Sequence, residues 1–361
     1  MVVNMFFPWG RGAGHIMRVL GMAGALAAND ASARNVIVTT AEWAPAVLEA
    51  TFEYAPIPAA LAAPDPWSCW TDHQFVLDSI AADIDLIDEF QPDVVVHDAR
   101  WSVPVAAISR RTRVITLMQT NMFPGFAFSG RTNELWERPV SAFNSALRRY
   151  AQPALRSDVR ELFLRTRMLV PSVPGFDLVP ETYRGQVMEI GPLVHPGSGE
   201  AATDTETADL RTIYVYGVIT TQEELITLLR VADSRGLRVI LPLLPERLCI
   251  PSWADPVVMS TRYVDVKSVL PRCGLAIIHG GHGSCQSVLT AGIPTLCLPT
   301  PGHDERTFNA GRLHVFGLAI VPDDPRPWEH LGELIDRAIQ SNELRAAAAA
   351  IRMRRTEVVS L

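Results

Sequence analysis

Apolar residues recur along the chain in two rhythms. Short continuous runs at 2–7, 35–40, 94–96 and 113–118 are rich in valine, isoleucine and phenylalanine and predict buried strands. Between them, Ile16, Val19, Leu20, Ala23 and Leu26 fall on one helical face, as do Ile80, Ile84 and Ile87. The second half repeats the pattern, with strands at 212–216, 238–241, 257–259, 275–279 and 295–298 and helices at 222–234 and 284–291. Strands that alternate with helices predict an α/β class with parallel sheets covered on both faces. The segment from His195 to Asp209 is polar, acidic and rich in turn residues, so it reads as a linker. The expected division is an N-terminal domain over 1–195, a linker over 196–211, a C-terminal domain over 212–340 and a terminal helix over 341–361. Doubly wound sheets bind ligands beyond the carboxyl ends of their strands, so two such domains imply a cleft.

Composition agrees with two soluble domains. The chain has 361 residues, 48% hydrophobic and 20% charged, more than one core ordinarily holds. Its net charge of −7 argues against a nucleic-acid or anionic-membrane partner. No apolar run approaches the ~18 residues of a membrane span, and the start lacks a basic leader, so a cytoplasmic chain is expected. The five cysteines are odd in number and form no C-x-x-C pair, which argues against a disulfide framework. Lys267 is the only lysine among 32 basic residues.

Several polar clusters have plain structural readings. Asp83, Asp85 and Asp88 read as the solvated face of an amphipathic helix, because residues two apart on a helix do not converge on one ion. Arg148, Arg149, Arg156, Arg160, Arg165 and Arg167 read likewise as a solvated surface. Ser284 lacks the flanking glycines of a nucleophile elbow, and no third or fourth zinc ligand follows His279 and His282 at suitable spacing. The N-terminal glycine segment carries His15 where G-x-G-x-x-G would need glycine.

The sharpest feature is Ile277-Ile278-His279-Gly280-Gly281-His282-Gly283-Ser284. An apolar strand runs into glycines, and a helix is expected to open at Ser284. Glycines permit close backbone approach, and helix N-terminal amides suit a phosphate or diphosphate. A simple glycine turn with a serine cap fits equally well on these residues alone.

The longer pattern adds Ala291-Gly292-Ile293-Pro294, then Pro299, Asp304, Glu305, Asn309 and Ala310. It closely resembles the donor-binding signature of GT-B glycosyltransferases, and more narrowly the family 1 enzymes that tailor antibiotics and other natural products in actinomycetes. Tyr263-Val264-Asp265 resembles that family's nucleobase loop, and Val215-Tyr216-Gly217 its first C-terminal strand and turn. Gly14-His15 and the segment from Pro92 to Asp98 resemble its N-terminal motifs. The resemblance runs in order along nearly the whole chain. It implies two Rossmann-like domains facing a cleft, with the last helix packing back on the N-terminal domain.

The implied activity is inverting transfer of a sugar from a dTDP- or UDP-sugar to a hydroxyl of a small-molecule acceptor, with no metal. His15 would be the general base and Asp98 its orienting partner. Gly217, His279, Gly281, Gly283 and Ser284 would bind the donor diphosphate, Tyr263 and Val264 the nucleobase, and Asp304 and Glu305 the sugar, with Asn309 bracing their loop. The aromatic segment 118–128 with Trp67, Trp70 and Trp101 favours a hydrophobic acceptor pocket, in which Trp67, Trp70, Met118 and Phe123 are the expected contacts. Nucleic acid and membrane are not expected partners; a homodimer is compatible.

Three positions depart from the family pattern. Glu305 stands where glutamine is usual, which points to a deoxy or amino sugar whose ammonium it could pair. Ser287 replaces a ribose-binding glutamate, leaving Gln286 as the substitute. Arg18 replaces a proline and reads as a solvent-facing helix residue, with an anionic acceptor as the other reading. A sugar-nucleotide epimerase and an inert nucleotide-sugar-binding activator of another transferase remain alternatives; the pairing of His15 with Asp98 speaks against the second.

Overall fold

A computed structural model describes the chain except residues 10–12, 59–60, 62–67, 128–129, 194–208, 243, 255–257, 262–265 and 359–361. The chain divides into two units, Met1–His195 and Pro196–Leu361.

The first unit holds strands β1 (Val3–Pro8), β2 (Arg34–Thr39), β3 (Glu53–Pro56), β4 (Val94–Asp98), β5 (Arg113–Leu117), β6 (Arg167–Val170) and β7 (Val187–Glu189). They form a seven-stranded sheet in the order β3-β2-β1-β4-β5-β6-β7, parallel throughout. Its helices are α1 (Ala13–Asn29), α2 (Ala44–Glu49), α3 (His73–Phe90), α4 (Ser102–Ser109), α5 (Gly130–Glu137) and α6 (Val140–Arg149).

Alternation along β1 explains the layering. Met5 and Phe7 enter a core with Val76 and Ile80 of α3, Ala106 of α4 and Phe143 of α6. Phe6 points to the opposite face, where Ile16, Val19 and Leu20 of α1 cover it. A strand covered on both faces must be apolar at every position, which is the run that the sequence displays.

The second unit holds β8 (Asp209–Tyr216), β9 (Arg238–Pro242), β10 (Val258–Thr261), β11 (Cys273–Ile278), β12 (Thr295–Cys297) and β13 (Ala319–Ile320). Their order, β10-β9-β8-β11-β12-β13, is again parallel throughout. Helices α7 (Gln222–Ser234), α8 (Val266–Val269), α9 (His282–Ala291), α10 (Asp304–Val315), α11 (Leu331–Gln340) and α12 (Asn342–Val358) accompany them. The start of α7 is fixed by a capping box between Thr221 and Glu224, and α9 stops at Gly292 in the left-handed conformation.

Both sheets therefore place their first strand between their second and fourth. The direction of winding reverses between β1 and β4 and between β8 and β11, and the crevice beyond those carboxyl ends is where such sheets take ligands.

The structure corrects one boundary and two polar readings. The expected linker is shorter at its C-terminal end, since Asp209 already pairs opposite Cys273 within the sheet. The last helix begins at Asn342, packs on α9 and contributes Leu344 to the core of the second unit. Asp83 is buried, not solvated. Arg100 Nη2 donates to it at 2.6 Å and Ser102 Oγ at 2.5 Å, while burial raises its pKa against the pull of Arg100. Arg160 is buried too, paired with Asp158 at 2.6 Å, donating to the carbonyls of Asn121 and Phe126 and lying over the Trp136 ring. Asp85, Asp88, Arg148 and Arg149 are exposed.

Candidate active site

In the first unit, Pro8 at the end of β1 stands in register with Asp98 at the end of β4. Helix α1 follows β1 closely, so its first turn sits over this switch point. His15 Nδ1 lies 3.1 Å from Oδ1 of the fully buried Asp98, and a quarter of the His15 side chain is exposed. With Nδ1 facing the carboxylate, Nε2 is the ring nitrogen left for another partner.

Arg18, three residues along the same helix face, reaches the same carboxylate. Its Nη1 is 3.1 Å from Asp98 Oδ1, and its Nη2 donates to Gln119 Oε1 at 3.2 Å, just beyond β5. Arg18 is 5% exposed, which corrects the solvent-facing expectation. A carboxylate withdrawn from water requires a cation or several donors, and α1 supplies the cation. The neighbouring His97 points to the other side of the sheet. It is fully buried, with Nε2 2.6 Å from Thr116 Oγ1, and burial pushes its pKa down to about 3, so it packs as a neutral ring.

The expected acceptor contacts separate. Trp67 and neighbouring residues 62–66 lie outside the described residues. Met118 and Phe123 have no exposed surface and belong to the core, Phe123 stacking on Tyr183. Trp70 is 7% exposed and packs against Trp9, Trp101, Phe75 and Phe143. These three residues hold the core together instead of presenting a face to an acceptor, because burying such large apolar surfaces is their most favourable placement. Trp9, only partly buried and within 5.3 Å of the Trp101 ring, carries the aromatic cluster to the carboxyl end of β1.

In the second unit, β8 ends at Tyr216-Gly217 and β11 runs into His279-Gly280-Gly281. Helix α9 opens at His282 with Gly281 as its N-cap, two residues before the expected start at Ser284. The Ser284 hydroxyl donates to the Gly281 carbonyl at 2.8 Å and closes the first turn. The groups offered to an anion are therefore backbone amides: those of His282, Gly283 and Ser284 have no intrahelical carbonyl to bond.

The glycines beside His279 make room for its ring. A Cβ on Gly217 would lie 2.5 Å from His279 Nδ1, and one on Gly281 2.6 Å from Nε2. The imidazole is held between them, edge-on to the Tyr216 ring at 5.5 Å. Burial, reinforced by Arg306, lowers the His279 pKa to about 4, so near neutral pH it is an uncharged donor. The resulting site donates hydrogen bonds in few directions but holds its donors rigidly.

Helix α10 closes the turn from the other side. Asn309 Nδ2 donates to the Gly280 carbonyl at 3.0 Å, the brace expected of it. Asp304 and Glu305 occupy the first turn of α10, both partly exposed, where the helix dipole favours acids. Arg306 follows them directly and is missed by motif reading; its carbonyl lies against Gly280 and its Nη1 donates to Thr300 Oγ1. Gln286 is 3% exposed, while Ser287 is less buried and donates to the Gly283 carbonyl. Tyr263 and Val264 lie outside the described residues. Among the described residues, no group of three or more His, Cys, Asp or Glu could hold a metal ion, and no helix is long and apolar enough to cross a membrane.

Known proteins share this architecture. The spinosyn forosaminyltransferase SpnP superposes with a TM-score of 0.72 at 19% identity, over 99% of this chain and 95% of its own. The glycosyltransferase SnogD from Streptomyces nogalater gives 0.68 at 20% identity, over 99% and 95%. The spinosyn rhamnosyltransferase SpnG complexed with thymidine diphosphate gives 0.71 at 18%, over 99% and 96%. The two units thus have the GT-B fold, in the form seen in antibiotic-tailoring glycosyltransferases. By sequence, an uncharacterized glycosyltransferase of Methanopyrus kandleri is 30% identical over 88 residues, 24% of this chain and 25% of that relative's length. No family model matches the chain.

Proposed function

We propose that this protein is an inverting glycosyltransferase that moves a sugar from a nucleoside-diphosphate sugar to a hydroxyl of a small-molecule natural product. The observation that carries the reading is His15, in the first turn of α1, with Nδ1 3.1 Å from the buried Asp98. In this reading His15 removes the acceptor proton as the oxygen forms its bond to the anomeric carbon. Asp98 steadies the imidazolium that results. The bond from the anomeric carbon to the diphosphate breaks on the opposite face, which inverts configuration. The α9 amides and the neutral His279 receive the charge that develops on the leaving diphosphate, so no metal is required.

Two similar proteins support the kinds of substrate: SpnG has been seen complexed with thymidine diphosphate and with spinosyn aglycone. A dTDP- or UDP-sugar is the donor proposed here. Glu305 in the first turn of α10 supports an amino or deoxy sugar, since a carboxylate can pair with an ammonium where an amide cannot.

Incubation of the purified protein with nucleotide sugars and hydroxylated aglycones tests the reading. Free nucleoside diphosphate and a glycoside of inverted configuration are the expected products. His15→Ala should abolish turnover while donor binding persists; full activity in that variant would remove His15 from the mechanism.

A further inference from the structure

Among the deeply buried arginines of the first unit, each has a carboxylate partner. Arg18 pairs with Asp98 at 3.1 Å, Arg100 with Asp83 at 2.6 Å and Arg160 with Asp158 at 2.6 Å. Withdrawing a guanidinium from water is costly, and an opposite charge offsets the cost. In the second unit, Arg306 is held differently. It is half-buried, its Nη1 donates to the neutral hydroxyl of Thr300, and the charge of the adjacent Glu305 acts on it without a salt bridge among the described residues.

Its position gives the guanidinium a role. The Arg306 carbonyl rests against Gly280, where a Cβ would lie 2.5 Å away, and Gly280 has a φ of +81°. One turn further along α10, Asn309 bonds to the Gly280 carbonyl. Arg306 is thus fastened to the turn that leads into α9, at the reversal point between β8 and β11. Its charge is felt by His279, His303 and Tyr216, in each case against a further positive charge or in favour of a negative one. Burial, with Arg306 adding to it, keeps His279 neutral near neutral pH and leaves the formal charge to the guanidinium.

We propose that Arg306 binds the diphosphate of the nucleotide donor and neutralises its charge as it leaves. The planar guanidinium offers paired N–H groups that match two phosphate oxygens, and it adds a full charge to the partial charge of the α9 amides. The inference rests on the donor-binding reading of the second unit and deepens it: leaving-group charge is met by a fixed arginine in addition to backbone amides.

Calorimetric titration with uridine diphosphate and thymidine diphosphate, set against uridine and thymidine, tests the assignment. Arg306→Gln should weaken binding of the preferred diphosphate about ten-fold or more and leave nucleoside binding unchanged. Arg306→Lys, which keeps the charge and loses the fork, should recover part of the loss, and the salt dependence of diphosphate binding should be shallower in Arg306→Gln than in Arg306→Lys. A diphosphate affinity in Arg306→Gln within two-fold of the unaltered protein would overturn the role of Arg306 alone. An unaltered protein that binds neither diphosphate more tightly than its nucleoside would overturn the donor reading as well.

Discussion

Arg18 Nη1 and His15 Nδ1 meet at one atom, Oδ1 of Asp98, each at 3.1 Å. The buried carboxylate thereby serves a permanent cation and a ring that becomes one only on accepting a proton. Arg18 compensates the buried carboxylate whether or not His15 carries a proton. A position that reads as a departure from the family's proline is structurally part of the dyad.

Replacing Arg18 with methionine keeps most of the stem volume and deletes the charge. Asp98 would then lose its permanent partner inside the unit, and a loss of about 3 kcal/mol in stability is expected. Urea midpoints of the first unit measure this. Nucleoside-diphosphate binding by the second unit should not change. An unchanged midpoint would mean that the surroundings hold Asp98 without the ion pair.

Gly281→Ala places a methyl 2.6 Å from His279 Nε2 and must displace the ring. Weaker diphosphate binding and lower stability are expected. Combining it with His279→Ala removes the clash, so the double variant should be more stable than the sum of its parts predicts, by about 1 kcal/mol or more. Simple additivity would show that the two residues do not compete for the same space.

Acid should unfold the first unit through His97. Folded, its pKa is pushed from 6.5 down to about 3, so the unfolded chain holds the extra proton between those values. Stability is then full above about pH 6.5 and falls, as pH drops, by up to about 1.4 kcal/mol per pH unit from this group. His97→Gln should flatten the fall in urea midpoint between about pH 7 and about pH 5. An equally steep fall in that variant would assign the acid sensitivity to other groups.

Glu305→Gln removes the charge from the first turn of α10 with little change in shape. If Glu305 pairs with an ammonium, transfer from an amino-sugar donor should slow about ten-fold or more relative to a neutral donor. Comparison of kcat/KM for the two donors decides it, and an unaltered ratio sinks the amino-sugar assignment.

The central strands are legible because both of their faces are buried. Val3–Pro8, Val94–Asp98 and Cys273–Ile278 are apolar nearly throughout, and both reversal points follow from them. The edge elements carry no such signal. Glu53–Pro56 alternates with polar and aromatic residues, Val187–Glu189 is mostly exposed, and Ala319–Ile320 spans two residues.

Periodicity also cannot see a partner that arrives from elsewhere in the chain. Asp83 sits three residues after Ile80 in the helical pattern, yet Arg100 and Ser102 from the next β-α connection bury it. Arg18 is recruited by a residue 80 positions away. His15, Asp98, His279 and Asn309 are locatable from the resemblance because their spacing is local to a strand end and a helix start. Arg306 is not: its place beside the Gly280 turn comes from the fold, and no motif marks it.

The aromatic cluster has a practical consequence. Trp9, Trp70, Trp101 and Trp136 are linked by ring centroids 5.3–6.1 Å apart within the first unit, whereas the second contains Trp253 and Trp328, the former 46% exposed. Indoles this close couple electronically, so the first unit carries a near-ultraviolet dichroic signature and a blue-shifted emission that the second cannot imitate. Loss of that signal reports on the unit holding His15, without any label.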